Sequence, residues 1–262
     1  MKNKIRYSLG FIVVASLLFS FTFLSKEKPT LFIIGDSTVK NGDNTGKDNL
    51  WGWGSFIQNY FDTLKISIHN DAIGGRSSKS FITDGRWDKL MSELKPGDFV
   101  IIQFGHNDRG PLDDTARARG TIKGTGEETK DIYNPVRKVK ETVHTYGWYL
   151  RKYVNESKSK GAIPIICSLV PRNIWTNGRV ERCNDDYTKW AKEVAAETKV
   201  SFIDLNNLVA DKYEAMDSVK VKLFFPKDHT HTNLEGAKLN TETVVSGIKN
   251  LKENPLKNYL IQ

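Results

Sequence analysis

The sequence predicts an α/β protein: a five-stranded parallel sheet with helices on both faces. Five short apolar runs alternate with segments of helical periodicity along one chain. Most of these runs are continuously apolar, as strands covered on both faces are. Polar turn residues gather at their carboxyl ends, where open parallel sheets place ligands.

The elements follow in order. "LFIIG" (31–35) reads as the first strand, and "WGSFIQNYFDTL" (53–64) as an amphipathic helix. "KISIHNDA" (65–72) alternates as a strand does. "DKLMSELK" (88–95) is helical, and "KPG" stops it before the strand "DFVIIQFG" (98–105). The stretch 109–142, rich in Gly, Thr and charge, reads as a long loop beside the site. A helix over 145–161 ends at the C-cap glycine Gly161 and leads into a buried strand at 162–170. A helix at 184–199 begins with Asn and Asp, and "VSFIDL" (200–205) is the fifth strand. A final helix occupies 233–253.

Of 262 residues, 39% are hydrophobic and 27% charged, enough for one α/β domain with a full core. The formal net charge of +8 is scattered rather than blocked. It therefore reads first as a solvated basic surface and second as a match for an acidic substrate; nucleic acid is not an expected partner. Lys2, Lys4 and Arg6 precede the apolar run "LGFIVVASLLFSFTFL". Residues 1–25 thus read as a secretory signal peptide, or as a retained N-terminal anchor because no clean small-x-small site follows. Residues 28–262 form the single domain, and the expected location is exported, periplasmic or extracellular. Cys167 and Cys183 are too few for a disulfide framework and are read as free.

Four polar blocks share one sheet edge: "GDST" after the first strand, "NDAIGGRS" after the second, "GHND" after the third, and "DHTHTN" before the last helix. Each alone is a reasonable turn. Together they carry the residue types of acyl transfer: a hydroxyl, a base and a carboxylate to orient it. Ser37 is the hydroxyl. Asp228 and His231 stand three apart, on the same side if the segment makes a helical turn, whereas His229 points elsewhere. The backbone N–H groups of Ser37 and Gly75 and the Asn107 amide are candidate oxyanion donors. No serine has the G-x-S-x-G context of an α/β-hydrolase. "DHTH" also fits a metal ligand set, but the hydroxyl-led reading requires neither metal nor cofactor.

These four blocks, in this order, resemble the SGNH/GDSL hydrolase superfamily, and most closely its rhamnogalacturonan acetylesterase branch. The match runs from residue 31 to about 240. The resemblance implies a flavodoxin-like three-layer α/β/α sandwich. It implies Ser37 as nucleophile with Asp228 and His231, and Ser37, Gly75 and Asn107 as the oxyanion hole. The implied activity is removal of acetyl groups from a plant polysaccharide, with an acetylated poly- or oligosaccharide as partner. A lipase or thioesterase on the same fold and a carbohydrate-binding protein are the alternatives. The segment "GTIKGTGEETKDIYNPVRKVKETVHTYGWY" lies outside the blocks, so substrate choice does not follow from them.

Other residues carry two readings each. Asp36 is read as a local cap on the Ser37 loop, and His106 as a structural hydrogen-bonding residue. Arg76 is read either as a sugar-carboxylate ligand or as the partner of a protein acid. Trp51, Trp53 and Trp175 fit sugar stacking or packing. His144, Tyr146 and Trp148 open the 145–161 helix as core residues first and substrate contacts second. His229 is a possible substrate contact.

Overall fold

The computed structural model describes residues 27–261. The expected segment at 1–25 lies outside them. The chain runs β1 (Thr30–Gly35), β2 (Ser67–Asn70), α1 (Ser78–Thr83), α2 (Arg86–Glu93), β3 (Phe99–Gln103), β4 (Thr129–Asn134), β5 (Val139–His144), α3 (Tyr146–Ser159) and β6 (Ile163–Cys167). It continues with β7 (Trp175–Thr176), β8 (Arg179–Val180), α4 (Tyr187–Glu197), β9 (Ser201–Ile203), α5 (Leu205–Met216), α6 (Ser218–Lys222) and α7 (Leu234–Lys249).

Five strands form one sheet in the order β2-β1-β3-β6-β9, every neighbour parallel. Ile33 aligns with Ile101, and Ile101 with Ile165, so alternate side chains feed opposite faces. On one face Phe32, Ile34, Val100, Ile102 and Ile166 pack under α1 to α4, against Phe81, Trp87, Tyr153 and Tyr187. On the other, Leu31, Ile33, Phe99, Ile101 and Ile165 pack against Trp53, Val209, Val244 and Ile248. Each aliphatic side chain buried this fully contributes about 1.5–3 kcal/mol. Two covered faces explain the near-continuous apolar runs of β1, β3 and β6. This is the three-layer sandwich expected from the sequence.

Several elements differ from expectation. Residues 53–64 form two short 3₁₀ turns, 53–55 and 57–60, rather than an amphipathic helix. The N–H groups of Trp53 and Gly54 donate to Thr38 and Val39 carbonyls at 3.0 and 2.9 Å, so they are spent on the loop after β1. Gly52 permits that approach: a Cβ there would stand 2.3 Å from the Val39 carbonyl oxygen. The stretch 109–142 is no featureless loop, for 129–144 is the antiparallel β4–β5 hairpin, with Tyr133 opposite Lys140. Asn134 closes its turn by accepting from the N–H groups of Val136 and Arg137 at 3.0 Å each. His144 ends β5 instead of opening a helix, and Thr145 caps α3 by accepting from the Trp148 N–H at 3.1 Å. The fifth strand stops at Ile203, and α5 starts at Leu205, within the run read as strand. The last helix ends at Lys249, not 253. Cys167 and Cys183 are both free thiols.

Candidate active site

β1 delivers the chain to Asp36 and Ser37 at the carboxyl edge of the sheet. Asp36 is fully buried, and one carboxylate oxygen accepts from both the N–H and the hydroxyl of Thr38 at 2.8 Å. It is therefore the local cap of the Ser37 turn. Burial raises its pKa, and the two Thr38 hydrogen bonds work against that rise. Thr38 continues a buried chain: Gln103 Nε2 donates to its hydroxyl at 2.8 Å, and Trp53 Nε1 donates to Gln103 Oε1 at 2.7 Å. Trp53 is thus a core residue whose indole braces the nucleophile loop through β3.

The structure joins three of the sequence-predicted residues in a line. Ser37 Oγ lies 2.8 Å from His231 Nε2, and His231 Nδ1 lies 2.7 Å from Asp228 Oδ2. The segment 228–231 is a bend rather than a helical turn. Asp228 makes that bend itself, its Oδ1 accepting from the N–H groups of Thr230 and His231 at 2.6 and 2.8 Å. Partial burial pushes the Asp228 pKa up, but the hydrogen bonds from His231 and Thr230 outweigh it and bring it to about 2. Asp228 is therefore a carboxylate at neutral pH. Trp51 pins the next residue: its N–H donates to the Thr232 carbonyl at 2.8 Å, and the Thr232 hydroxyl donates back at 3.2 Å.

Gly74 lies against Ser37, for a Cβ on Gly74 would stand 3.6 Å from the Ser37 Cβ, and Gly75 follows it in the chain. Gly75 adopts φ +77°, the left-handed region that disfavours any side chain. Asn107 comes from the turn after β3 and is buried; its Nδ2 donates to the Arg76 carbonyl at 2.8 Å. A primary amide has two N–H bonds, so one remains for a ligand. Asp108, next in the block, is fully buried and accepts from the Ser78 N–H at 3.1 Å and from the Ser78 hydroxyl. Burial raises its pKa to about 7 against those bonds.

The remaining candidates are placed as follows. Among the described residues neither ring nitrogen of His106 has a hydrogen-bond partner, contrary to the structural bond expected of it, although the Val170 backbone is near enough to work against its lowered pKa. Burial first, then Arg172 and Arg109, hold its pKa well below the usual histidine value, so it is neutral. Arg76 pairs with Asp84, Nε to Oδ2, at 2.8 Å. His229 turns away from Ser37, its Nε2 2.8 Å from Arg172 Nη1. Trp175 donates to Asn173 at 2.7 Å and packs on the core, while His144 stacks on Trp148 with ring centres 3.7 Å apart. None of His144, Trp175 and His229 lines the cleft beside Gly75. That cleft is lined instead by Arg117 and Arg119, which the motif blocks did not include. Their signal was the arginine alternation in "ARARG" (116–120), inside the segment read only as loop.

A doubly covered parallel sheet with a hydroxyl–imidazole–carboxylate line at its carboxyl edge defines a hydrolase of the acyl-transfer class. The chain belongs to the GDSL-like lipase/acylhydrolase family, whose model matches residues 33–239, and it is a carboxylic ester hydrolase. It is 33% identical over 220 residues to a rhamnogalacturonan acetylesterase of Emericella nidulans, covering 84% of each chain. It is 28% identical over 253 residues to the rhamnogalacturonan acetylesterase RhgT of Bacillus subtilis, covering 91% of this chain and 97% of that one. Among solved structures, the B. subtilis protein YxiM superimposes with a TM-score of 0.68 at 24% identity. That match covers 85% of this chain and 56% of YxiM. An acetylxylan esterase of Geobacillus stearothermophilus gives a TM-score of 0.56 at 19% identity, covering 84% and 94%. These two likenesses concern the fold.

Proposed function

We propose that this protein is an exported serine esterase that removes acetyl groups from a plant cell-wall polysaccharide, with pectic rhamnogalacturonan the foremost substrate. The observation that carries the serine mechanism is the unbroken Ser37–His231–Asp228 line, with both links under 3 Å. The two acetylesterase relatives support the carbohydrate substrate. No helix among the described residues is long and apolar enough to cross a membrane.

In this reading Ser37 Oγ attacks the acetyl carbonyl carbon while its proton passes to His231 Nε2. The new C–O bond places negative charge on the carbonyl oxygen, facing the N–H groups of Ser37 and Gly75 and the free N–H of Asn107. Collapse breaks the bond to the sugar oxygen, which takes the proton from His231. Water then attacks the acetyl-enzyme and gives its proton to Nε2; collapse breaks the bond to Ser37 Oγ, which takes that proton back from His231, and acetate leaves. Asp228 stays ionised throughout, holding the Nδ1–H tautomer so that Nε2 is free to accept.

The test is acetate release from acetylated pectin, xylan and peptidoglycan by wild type and Ser37→Ala. Release is expected from pectin foremost and is lost in Ser37→Ala. Release from none of the three polymers, or full activity in the folded alanine variant, refutes the proposal.

A further inference from the structure

We propose that the cleft beside Gly75 is a subsite for the carboxylate of a uronic-acid residue in the acetylated chain, read by Arg117 with Arg119 beside it. This rests on the esterase reading above and adds to it the residues that read the sugar carboxylate.

The cleft has a volume of about 510 Å³ and receives four guanidinium groups, from Arg76, Arg117, Arg119 and Arg137, against one carboxylate, Asp84. Two of the four already have a carboxylate partner, Arg137 sharing its own with Lys79. Arg76 pairs with Asp84 at 2.8 Å, and Arg137 pairs with Glu141 at 3.2 Å. Among the described residues, Arg117 and Arg119 have no carboxylate within 4.0 Å, and Arg119 donates only to the Gly75 carbonyl, at 3.1 Å. Partial burial and then the neighbouring Arg117 charge lower the Arg119 pKa. Two like charges are therefore held together with no carboxylate in contact with either guanidinium, Asp114, Asp36 and Asp108 acting on Arg119 only from a distance, an arrangement that a ligand carboxylate relieves.

The position is tied to the chemistry. Arg117 Nη1 lies 3.2 Å from where a Cβ on Gly75 would stand, and Gly74 touches Ser37 in the same way at 3.6 Å. A sugar whose acetyl carbonyl reaches Ser37 thus brings its own ring, or the next one, against these guanidiniums. Their planar N–H forks match a carboxylate better than a hydroxyl.

The arginine loop is also prebuilt. Asp114 accepts from the N–H groups of Ala116, Arg117 and Ala118 at 2.9, 2.8 and 2.9 Å. Ala118 sits at φ +45°, and its carbonyl accepts from the buried Lys79 Nζ at 2.8 Å. Lys79 in turn pairs with Glu141 on β5, so the β4–β5 hairpin braces the turn that carries both arginines. Little loop ordering remains to be done on binding.

Calorimetric titration with unacetylated oligogalacturonate and with a neutral xylo-oligosaccharide tests the subsite without turnover. Wild type is expected to bind the uronate oligomer more tightly, and less tightly as salt rises. Arg117→Gln, at an exposed position, is expected to weaken uronate binding about tenfold, the effect of losing one charge-assisted pair, and Arg117→Lys to recover part of it. On acetylated polygalacturonate the loss is expected in KM. No measurable uronate binding, equal binding of the two oligomers, or uronate affinity within about twofold in Arg117→Gln overturns the subsite and leaves the esterase reading standing. Aryl acetate hydrolysis that survives Ser37→Ala overturns the esterase reading, whatever the titrations give.

Discussion

Asp228→Asn separates the two jobs that one carboxylate does in this fold. Its Oδ1 closes the 228–231 bend by accepting two backbone N–H groups, and an asparagine carbonyl can do the same. Its Oδ2 faces His231 Nδ1 at 2.7 Å, and there asparagine puts an NH₂ group. Two donors cannot share that contact, so the imidazole must carry its proton on Nε2. Nε2 then donates to Ser37 Oγ instead of accepting from it, and the base is disabled with the bend intact. A buried aspartate replaced in this way costs about 10⁴ in kcat, roughly 5.5 kcal/mol of transition-state stabilisation. Here the side chains of Asp228 and His231 are 42% and 27% exposed, so water partly replaces the lost acceptor. The expected loss is about 10²–10⁴ in kcat. The folded-state pKa near 2 lies below the ordinary carboxylate value of 3.8, so the charge stabilises the fold above about pH 4, and that contribution fades as pH falls through 2. Discounted for solvent screening, the substitution is expected to cost about 1 kcal/mol at neutral pH. Aryl acetate turnover, circular-dichroism melting and the ¹⁵N shifts of the His231 ring read the three effects. A folded variant that loses less than about tenfold, or whose ring keeps the Nδ1–H tautomer, refutes the argument.

Three further outcomes follow from the same geometry. His231→Ala is expected to reduce hydrolysis about as far as Ser37→Ala, whereas His229→Ala, whose ring faces Arg172, is expected to lose less than about tenfold; equal, severe losses in two folded variants would defeat the assignment of His231 as the base. Asn107→Ala is expected to cost about 10²–10³ in kcat as one oxyanion donor disappears, and about 1 kcal/mol of stability with its bond to the Arg76 carbonyl. A rate loss under threefold removes Asn107 from the hole. Asp108, with its pKa raised to about 7, holds a proton in the folded state that the unfolded chain releases between roughly pH 4 and 7, so it lowers stability as pH rises through that window, on the order of 4 kcal/mol in all. Asp108→Asn should flatten the dependence seen in urea unfolding at pH 5 and pH 7; an unchanged slope contradicts the buried, protonated carboxyl.

The alternation of apolar runs and helical segments by itself determined the layered sheet, because a strand buried on both faces must be apolar at nearly every position. β1, β3 and β6 are legible for that reason, and so is the edge that carries Ser37, Asn107 and His231. Residues 53–64 were not legible. Their periodicity suits a helix, yet the N–H groups of Trp53 and Gly54 bond to the loop after β1, a partner far from them in the pattern. The β4–β5 hairpin was hidden because its strands are mostly solvent-facing and carry no apolar alternation. The residue types named a serine, a base and an acid. The spacing in "DHTH" already set His231 apart from His229 by way of a helical turn; the tertiary structure reaches that division through the bend that Asp228 folds around itself, which puts His231 on Ser37 and His229 on Arg172. Arg117 and Arg119, in contrast, read as scattered charge in one dimension. They become neighbours of Gly75 only because Asp114, Lys79 and the hairpin carry their loop across the sheet edge to it.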